Sequence, residues 1–155
     1  MRRYFTLICL VAFALIGSAQ TKITEKDGMY LNEKNEPYTG SYKEYHPNGR
    51  VRIDMSIKAG VLDGIVRTYF ESGKINETRS YSGGKKHGKW ETWSESGVKV
   101  AEANFENGQK HGKWYVWDET GVLRYDMAYK QGEKSGIWII YDEKGNELSR
   151  KEYGN

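Results

Sequence analysis

Two stretches of the chain could do chemistry. "KKHGKWETW" and "QKHGKWYVW", at 85–93 and 109–117, each set a histidine beside two tryptophans. An imidazole can ligate a metal or move a proton, and an indole can stack on a ligand. A metal centre needs three or four such groups converging on one point, and no cluster of further ligands at tight spacing appears. The slot of His87 and His111 holds Asp63 and Ser135 in the equivalent stretches. An exchange of His, Asp and Ser reads as a small polar residue of a turn. His46, before a Pro-Asn-Gly turn, reads as exposed. No metal and no cofactor is expected.

Other catalytic patterns fail on geometry. Glu95, Glu119 and Glu143 recur at equivalent turns, whereas glycoside hydrolysis needs two carboxyls facing each other across one cleft. No serine sits in a Gly-x-Ser-x-Gly strand-to-helix elbow. "SYSGGKKHGK" lacks the Gly-x4-Gly-Lys-Ser/Thr order that wraps phosphate. A non-enzymatic protein is expected, with no catalytic residue.

The recurrence itself is the strongest signal. Glycines stand at Gly40, Gly64, Gly88, Gly112 and Gly136, a period of 24. A second set is Gly49, Gly73, Gly97, Gly121 and Gly145, and a third is Gly60, Gly84, Gly108 and Gly132. Two residues after the first glycine come Tyr42, Val66, Trp90, Trp114 and Trp138, and five after it Tyr45, Tyr69, Trp93, Trp117 and Tyr141. Seventeen after it come Ile57, Tyr81, Phe105, Tyr129 and Tyr153. A fixed period of this length marks a repeat architecture.

The units must be strands. "VRIDMSI" and "LRYDMAY" alternate apolar residues at every second position, and the aromatic and β-branched content suits a pleated surface. "HPNG", "ESG", "ETG" and "EKG" place glycine where a hairpin needs positive φ. The links "GVLDG", "GKKHG", "GQKHG" and "GEKSG" are short enough for a second tight turn. With no crossover segment of a dozen residues, the pairing must be antiparallel. The expected fold is all-β, an elongated antiparallel meander of β-hairpin repeats. A half-unit at 28–39 opens it, and units start at 40, 64, 88, 112 and 136. One hairpin is marginal alone, so each unit must lean on its neighbours.

Ahead of the repeat, residues 1–19 carry Arg2 and Arg3, an apolar run and a small-residue site ending at Ala19. This is the pattern of a secretory signal peptide, followed by a short linker at 20–27. The apolar run is short for a membrane span, and retention as an anchor is the alternative. Cys9, the one cysteine, lies inside that run. Its removal would leave a mature chain without thiols and with a formal charge near +1, by loss of two arginines from +3. Such a balance gives no electrostatic case for nucleic acid. An exported protein, periplasmic or secreted, is expected, with no further transmembrane span.

"PYTGSYKEYHPNGRV", "GKWETWSESG", "GKWYVWDETG" and "GIWIIYDEKG" resemble the variant MORN repeats of bacteria, the group often labelled YwqK-type antitoxins. The resemblance spans about residues 28–155. It implies consecutive β-hairpins in a curved row and a role in contacting other molecules. Val66, where tryptophan or tyrosine is usual, and Lys99, where an apolar residue is expected, depart from the pattern.

Columns two and five after the first glycine differ by an odd number, so a regular strand presents them on opposite faces. A bulge could turn both inward. Tyr45, Tyr69, Trp93, Trp117 and Tyr141 form the candidate partner surface; Trp90, Trp114 and Trp138, with the first two glycine sets, are structural. The expected role is a binding or scaffold module for a protein partner. Alternatives are an envelope module holding glycan or lipid headgroups on its aromatic rows, and an antitoxin that neutralises a toxin by direct binding.

Overall fold

The computed structural model describes residues 22–154. The expected signal peptide at residues 1–19 lies outside these. A two-stranded ribbon, β1 (Thr24–Lys26) and β2 (Met29–Leu31), comes first. The stretch 20–27, expected as a linker, therefore contributes a strand.

The main sheet is a meander in chain order. Its strands are β3 (Gly40–Tyr45), β4 (Val51–Lys58), β5 (Val61–Tyr69), β6 (Ile75–Ser82), β7 (Lys85–Trp93) and β8 (Lys99–Glu106). There follow β9 (Gln109–Lys110), β10 (Gly112–Trp117), β11 (Leu123–Lys130), β12 (Glu133–Lys134), β13 (Gly136–Tyr141) and β14 (Glu147–Tyr153). Every pairing is antiparallel, and no helix occurs among the described residues. The short β9 and β12 lead into β10 and β13 and pair with β8 and β11.

Two kinds of turn alternate. After β3, β5, β7, β10 and β13, the amides of Gly49, Gly73, Gly97, Gly121 and Gly145 donate to the carbonyls three residues earlier. The returning strand then carries one unmatched residue: Arg52, Asn76, Val100, Arg124 or Leu148. This is the three-residue hairpin loop with a left-handed glycine.

The other turn lies one step earlier than the links suggested. It consists of Ala59–Gly60, Gly83–Gly84, Asn107–Gly108 and Gln131–Gly132, with φ pairs of 49 and 80°, 53 and 79°, 51 and 90°, and 52 and 90°. Two consecutive positive φ values make the type I′ turn, whose twist matches that of a hairpin. The residues after it already belong to the next strand. Gly60, Gly84, Gly108 and Gly132 donate their amides to Tyr38, Leu62, Lys86 and Lys110 carbonyls at 2.8, 2.8, 2.8 and 2.9 Å. Each unit is thereby stitched to the one before it.

Because the bulged residue lies on the returning strand, the strand carrying both aromatic columns alternates regularly. Its two columns face opposite ways. On one face, which we term the ladder face, Tyr81, Trp90, Phe105, Trp114, Tyr129, Trp138 and Tyr153 form a continuous row. Successive ring centroids are 5.2, 4.9, 5.1, 5.1, 5.1 and 5.2 Å apart, with tilted or edge-to-face planes. Those are the favoured aromatic geometries. Each indole also donates to the carbonyl ten residues earlier: Trp90 to Ser80 at 2.8 Å, Trp114 to Asn104 at 2.9 Å and Trp138 to Ala128 at 2.8 Å.

The N-terminal end is built differently. Met55, Ile57 and Val66 are the buried core, and Ile23, Tyr30, Tyr38, Tyr42, Ile53, Leu62 and Tyr81 pack on them. Val66 replaces an aromatic here because the chain's own first segment covers this part of the ladder face. A bulky ring would compete with Tyr30 and Tyr38 for that space.

Candidate functional site

On the face opposite the ladder, charge is internally matched. Register places Lys89, Glu91, Lys99, Glu102, Lys113, Asp126, Glu147 and Arg150 there. Lys99 bonds Glu91 and also Glu102, the latter at 3.1 Å. Lys89 reaches Glu102 at 3.2 Å, Lys113 reaches Asp126 at 2.7 Å and Arg150 reaches Glu147 at 2.7 Å. The Glu91 hydrogen bond holds the Lys99 ammonium above its ordinary range, against an opposing effect of burial. Burial pushes Glu102 up, but its bonds to Lys99 and Lys89 outweigh that and leave it lowered. Lys113 is raised by its bond to Asp126. Lys99, the departure from the apolar pattern, thus stands opposite Trp93 as the centre of an ion-pair network.

The predicted partner column lies on this ion-pair face. Tyr45, Tyr69, Trp93, Trp117 and Tyr141 pair across the bulge with Val51, Ile75, Lys99, Leu123 and Glu147. Tyr45 is 48% exposed, and the other four are half-buried. Trp117 meets Tyr115 at 5.6 Å. The column does not form a continuous ring-to-ring row like that of the ladder.

The ladder face has the opposite character from β7 onward. Its paired positions are Trp90, Thr92, Ala101, Ala103, Phe105, Trp114, Val116, Tyr125, Met127, Tyr129, Trp138 and Ile140, followed by Ser149, Lys151 and Tyr153. None is acidic. Tyr125 is 42% and Ile140 40% exposed.

Lysines line one side of this surface. Lys86 lies 4.7 Å from the Trp90 ring centroid and 5.1 Å from that of Phe105. Lys110 lies 4.6 Å from both Trp114 and Tyr129. Lys134 lies 4.5 Å from Trp138 and 5.3 Å from Tyr153, and Lys151 is 5.1 Å from Tyr153. Their stems cover ring surface while the ammonium heads meet the π faces. None of these four makes an ion pair among the described residues. A sequence reading that takes the links for loops passes over these lysines. The signal is present nonetheless, since lysine recurs at 86, 110 and 134 at the repeat period.

His87 and His111 are not turn residues. His87 lies within β7, and His111 between β9 and β10, where its amide donates to the Asn104 carbonyl at 2.9 Å. Both line an open depression of about 420 Å³ with Asn104, Glu106 and Lys113. His111 Nδ1 stands 3.4 Å from Glu106 Oε2 without meeting hydrogen-bond geometry. No group of three or more His, Cys, Asp or Glu among the described residues is arranged to hold a metal ion. His46 Nε2 is 2.8 Å from the Tyr69 carbonyl and ties two successive turns together. Glu95, Glu119 and Glu143 occupy equivalent loops along one margin of the sheet, not a shared cleft.

Comparison with known families agrees with this repeating geometry. No protein with a curated description matches the chain. The MORN repeat variant matches at residues 38–59, 62–82, 86–107 and 110–131, over half of the chain. Beyond the last match, β13 and β14 repeat the same bulge, the same indole-to-carbonyl bond and the same ring contacts. With five hairpin units of one design, four of them matched by that family, the chain belongs to the MORN repeat variant family.

Proposed function

We propose that this protein is an exported, non-enzymatic binding module that docks a protein partner on the ladder face of its last three units. The observation that carries this is the contrast between the two ends of that face. Over Met55, Ile57 and Val66 the chain lays down its own Ile23, Tyr30 and Tyr38. From Trp90 onward the same apolar surface continues with no such cover from the described residues, and Tyr125 and Ile140 stay exposed. Exposed apolar surface rimmed by polar groups is the usual mark of an interaction site. Export rests on the residue pattern of 1–19.

The ion-pair face is the second candidate surface, favoured by the half-exposed Tyr45, Tyr69, Trp93, Trp117 and Tyr141. The bonded groups around Lys99, Lys113 and Arg150 occupy this face, so a partner would have to displace existing pairs. This ranks it below the ladder face.

Affinity capture from cell-envelope extract separates the two. Wild type is compared with Tyr125→Ser/Ile140→Ser and Trp93→Ala/Trp117→Ala, each first checked for a folded sheet by hydrogen exchange. The expected result is one protein retained by wild type and the tryptophan variant and lost with the tyrosine–isoleucine variant. Equal retention by all three overturns the reading. A glycan-array response in place of protein capture would favour an envelope carbohydrate module. An unprocessed N-terminus confined to cytosol would favour an antitoxin-like role.

A further inference from the structure

From the spacing of Lys86, Lys110 and Lys134 on the ladder face, we infer that the partner presents an acidic segment in polyproline-II conformation, with a carboxylate at every third residue. This rests on the ladder face being the docking surface and adds the chemistry of what docks there.

The first support is charge. From β7 onward the paired positions of this face carry lysines and no carboxylate, while Glu91, Glu102, Asp126 and Glu147 lie on the other face and are bonded there. Glu77 of β6, opposite Thr92 at the border of this surface, is bonded to Arg79. A surface of one sign, set beside apolar ground, selects an occupant of the opposite sign. The second support is spacing. Lys86, Lys110 and Lys134 occupy the same position in successive units. One unit is two strands wide, so the ammonium groups recur about every 9.5 Å across the sheet. A polyproline-II chain rises about 3.1 Å per residue with three residues per turn, so residues three apart share a face at about 9.3 Å. An extended strand presents one face at about 6.8 or 13.6 Å, since it alternates every second residue. Neither value fits the row.

The third support is the ground beside the lysines. Aromatic-lined grooves suit polyproline-II segments because the chain is already stiff and loses little entropy on docking. Beside the ladder lie Ala101, Ala103, Val116 and Met127, a shallow floor of small and flexible side chains. The two residues between successive carboxylates would rest on that floor and on the ring edges.

The test uses a fluorescein-labelled peptide of repeated Glu-Pro-Pro, titrated against residues 20–155 with fluorescence anisotropy at low and physiological salt. A second peptide has the same composition with its glutamates clustered at one end. A third is helical, with glutamate at every seventh residue. The Glu-Pro-Pro peptide is expected to bind best, and Lys86→Gln/Lys110→Gln/Lys134→Gln to weaken it roughly tenfold to a hundredfold, as for three partly exposed ion pairs. Equal binding of the clustered peptide overturns the spacing claim, and tighter binding of the helical one overturns the conformation. Unchanged affinity in the folded triple variant removes the lysine row. Binding only to phosphatidylglycerol vesicles, or association only with a second copy in sedimentation velocity, likewise overturns the inference. If the peptides fail while Tyr125→Ser/Ile140→Ser still abolishes capture, the docking surface stands and the acidic segment falls.

Discussion

Trp114 is the side chain whose removal tests the architecture most directly. Its ring meets Phe105 and Tyr129, both at 5.1 Å, its indole donates to the Asn104 carbonyl at 2.9 Å, and Lys110 lies over it. Trp→Ala in a packed site costs about 3–5 kcal/mol. Trp114 is half-buried, so the lower end, about 3 kcal/mol, is expected. Trp114→Phe keeps the ring contacts and drops the hydrogen bond, for about 1 kcal/mol. Position matters as well as size. In a row where each unit touches only its neighbours, weakening a central junction uncouples the two ends. Trp114→Ala is therefore expected to split urea unfolding into two steps of reduced slope. Trp138→Ala, near the end, should release only β13 and β14 and leave the main transition in place. Hydrogen exchange across the sheet locates the released strands. A single steep transition for Trp114→Ala, displaced by less than about 1 kcal/mol, would refute the neighbour-by-neighbour account.

Two further outcomes follow from local chemistry. The Lys99–Glu91–Glu102 network is partly solvated, so a double-mutant cycle of Lys99→Met with Glu102→Gln should give a coupling of about 0.5–1 kcal/mol. Glu102 is depressed from 4.5, so its contribution is complete above that value and lost as pH falls through its folded pKa; Lys99 is raised from 10.5, so its own is complete below that value and lost as pH rises through the elevated one. The coupling should be flat between these limits when measured by urea titration, and a maximum outside them would contradict the assignment. Gly84→Ala should cost more than Gly108→Ala. Both sit at positive φ, 79 and 90°, but a Cβ on Gly84 meets Val61 Cβ at 3.3 Å while nothing obstructs one on Gly108. Left-handed backbone alone costs about 1–2 kcal/mol; equal melting shifts for the two would contradict the close approach of Val61 to Gly84.

The period, the strand content and the antiparallel order were legible in the residues because they are local properties. Glycines in register, alternating apolar positions and links too short for a crossover each restrict the backbone without reference to distant contacts. Tertiary structure decided the matters that depend on pairing. The odd interval between Trp114 and Trp117 left two arrangements open, and the bulge at Arg124, on the returning strand, selected opposite faces. His111 reads as a turn residue from the sequence, but the type I′ turn lies at Asn107–Gly108. Val66 and Lys99 looked like departures from a pattern. One lies under the first segment of the chain and the other between Glu91 of the neighbouring strand and Glu102 of its own. The lysine row is the clearest case. Lys86, Lys110 and Lys134 recur in the sequence, but a period does not say which side of a sheet a side chain occupies. Only the register of paired strands put them on the rings and the acids on the other side.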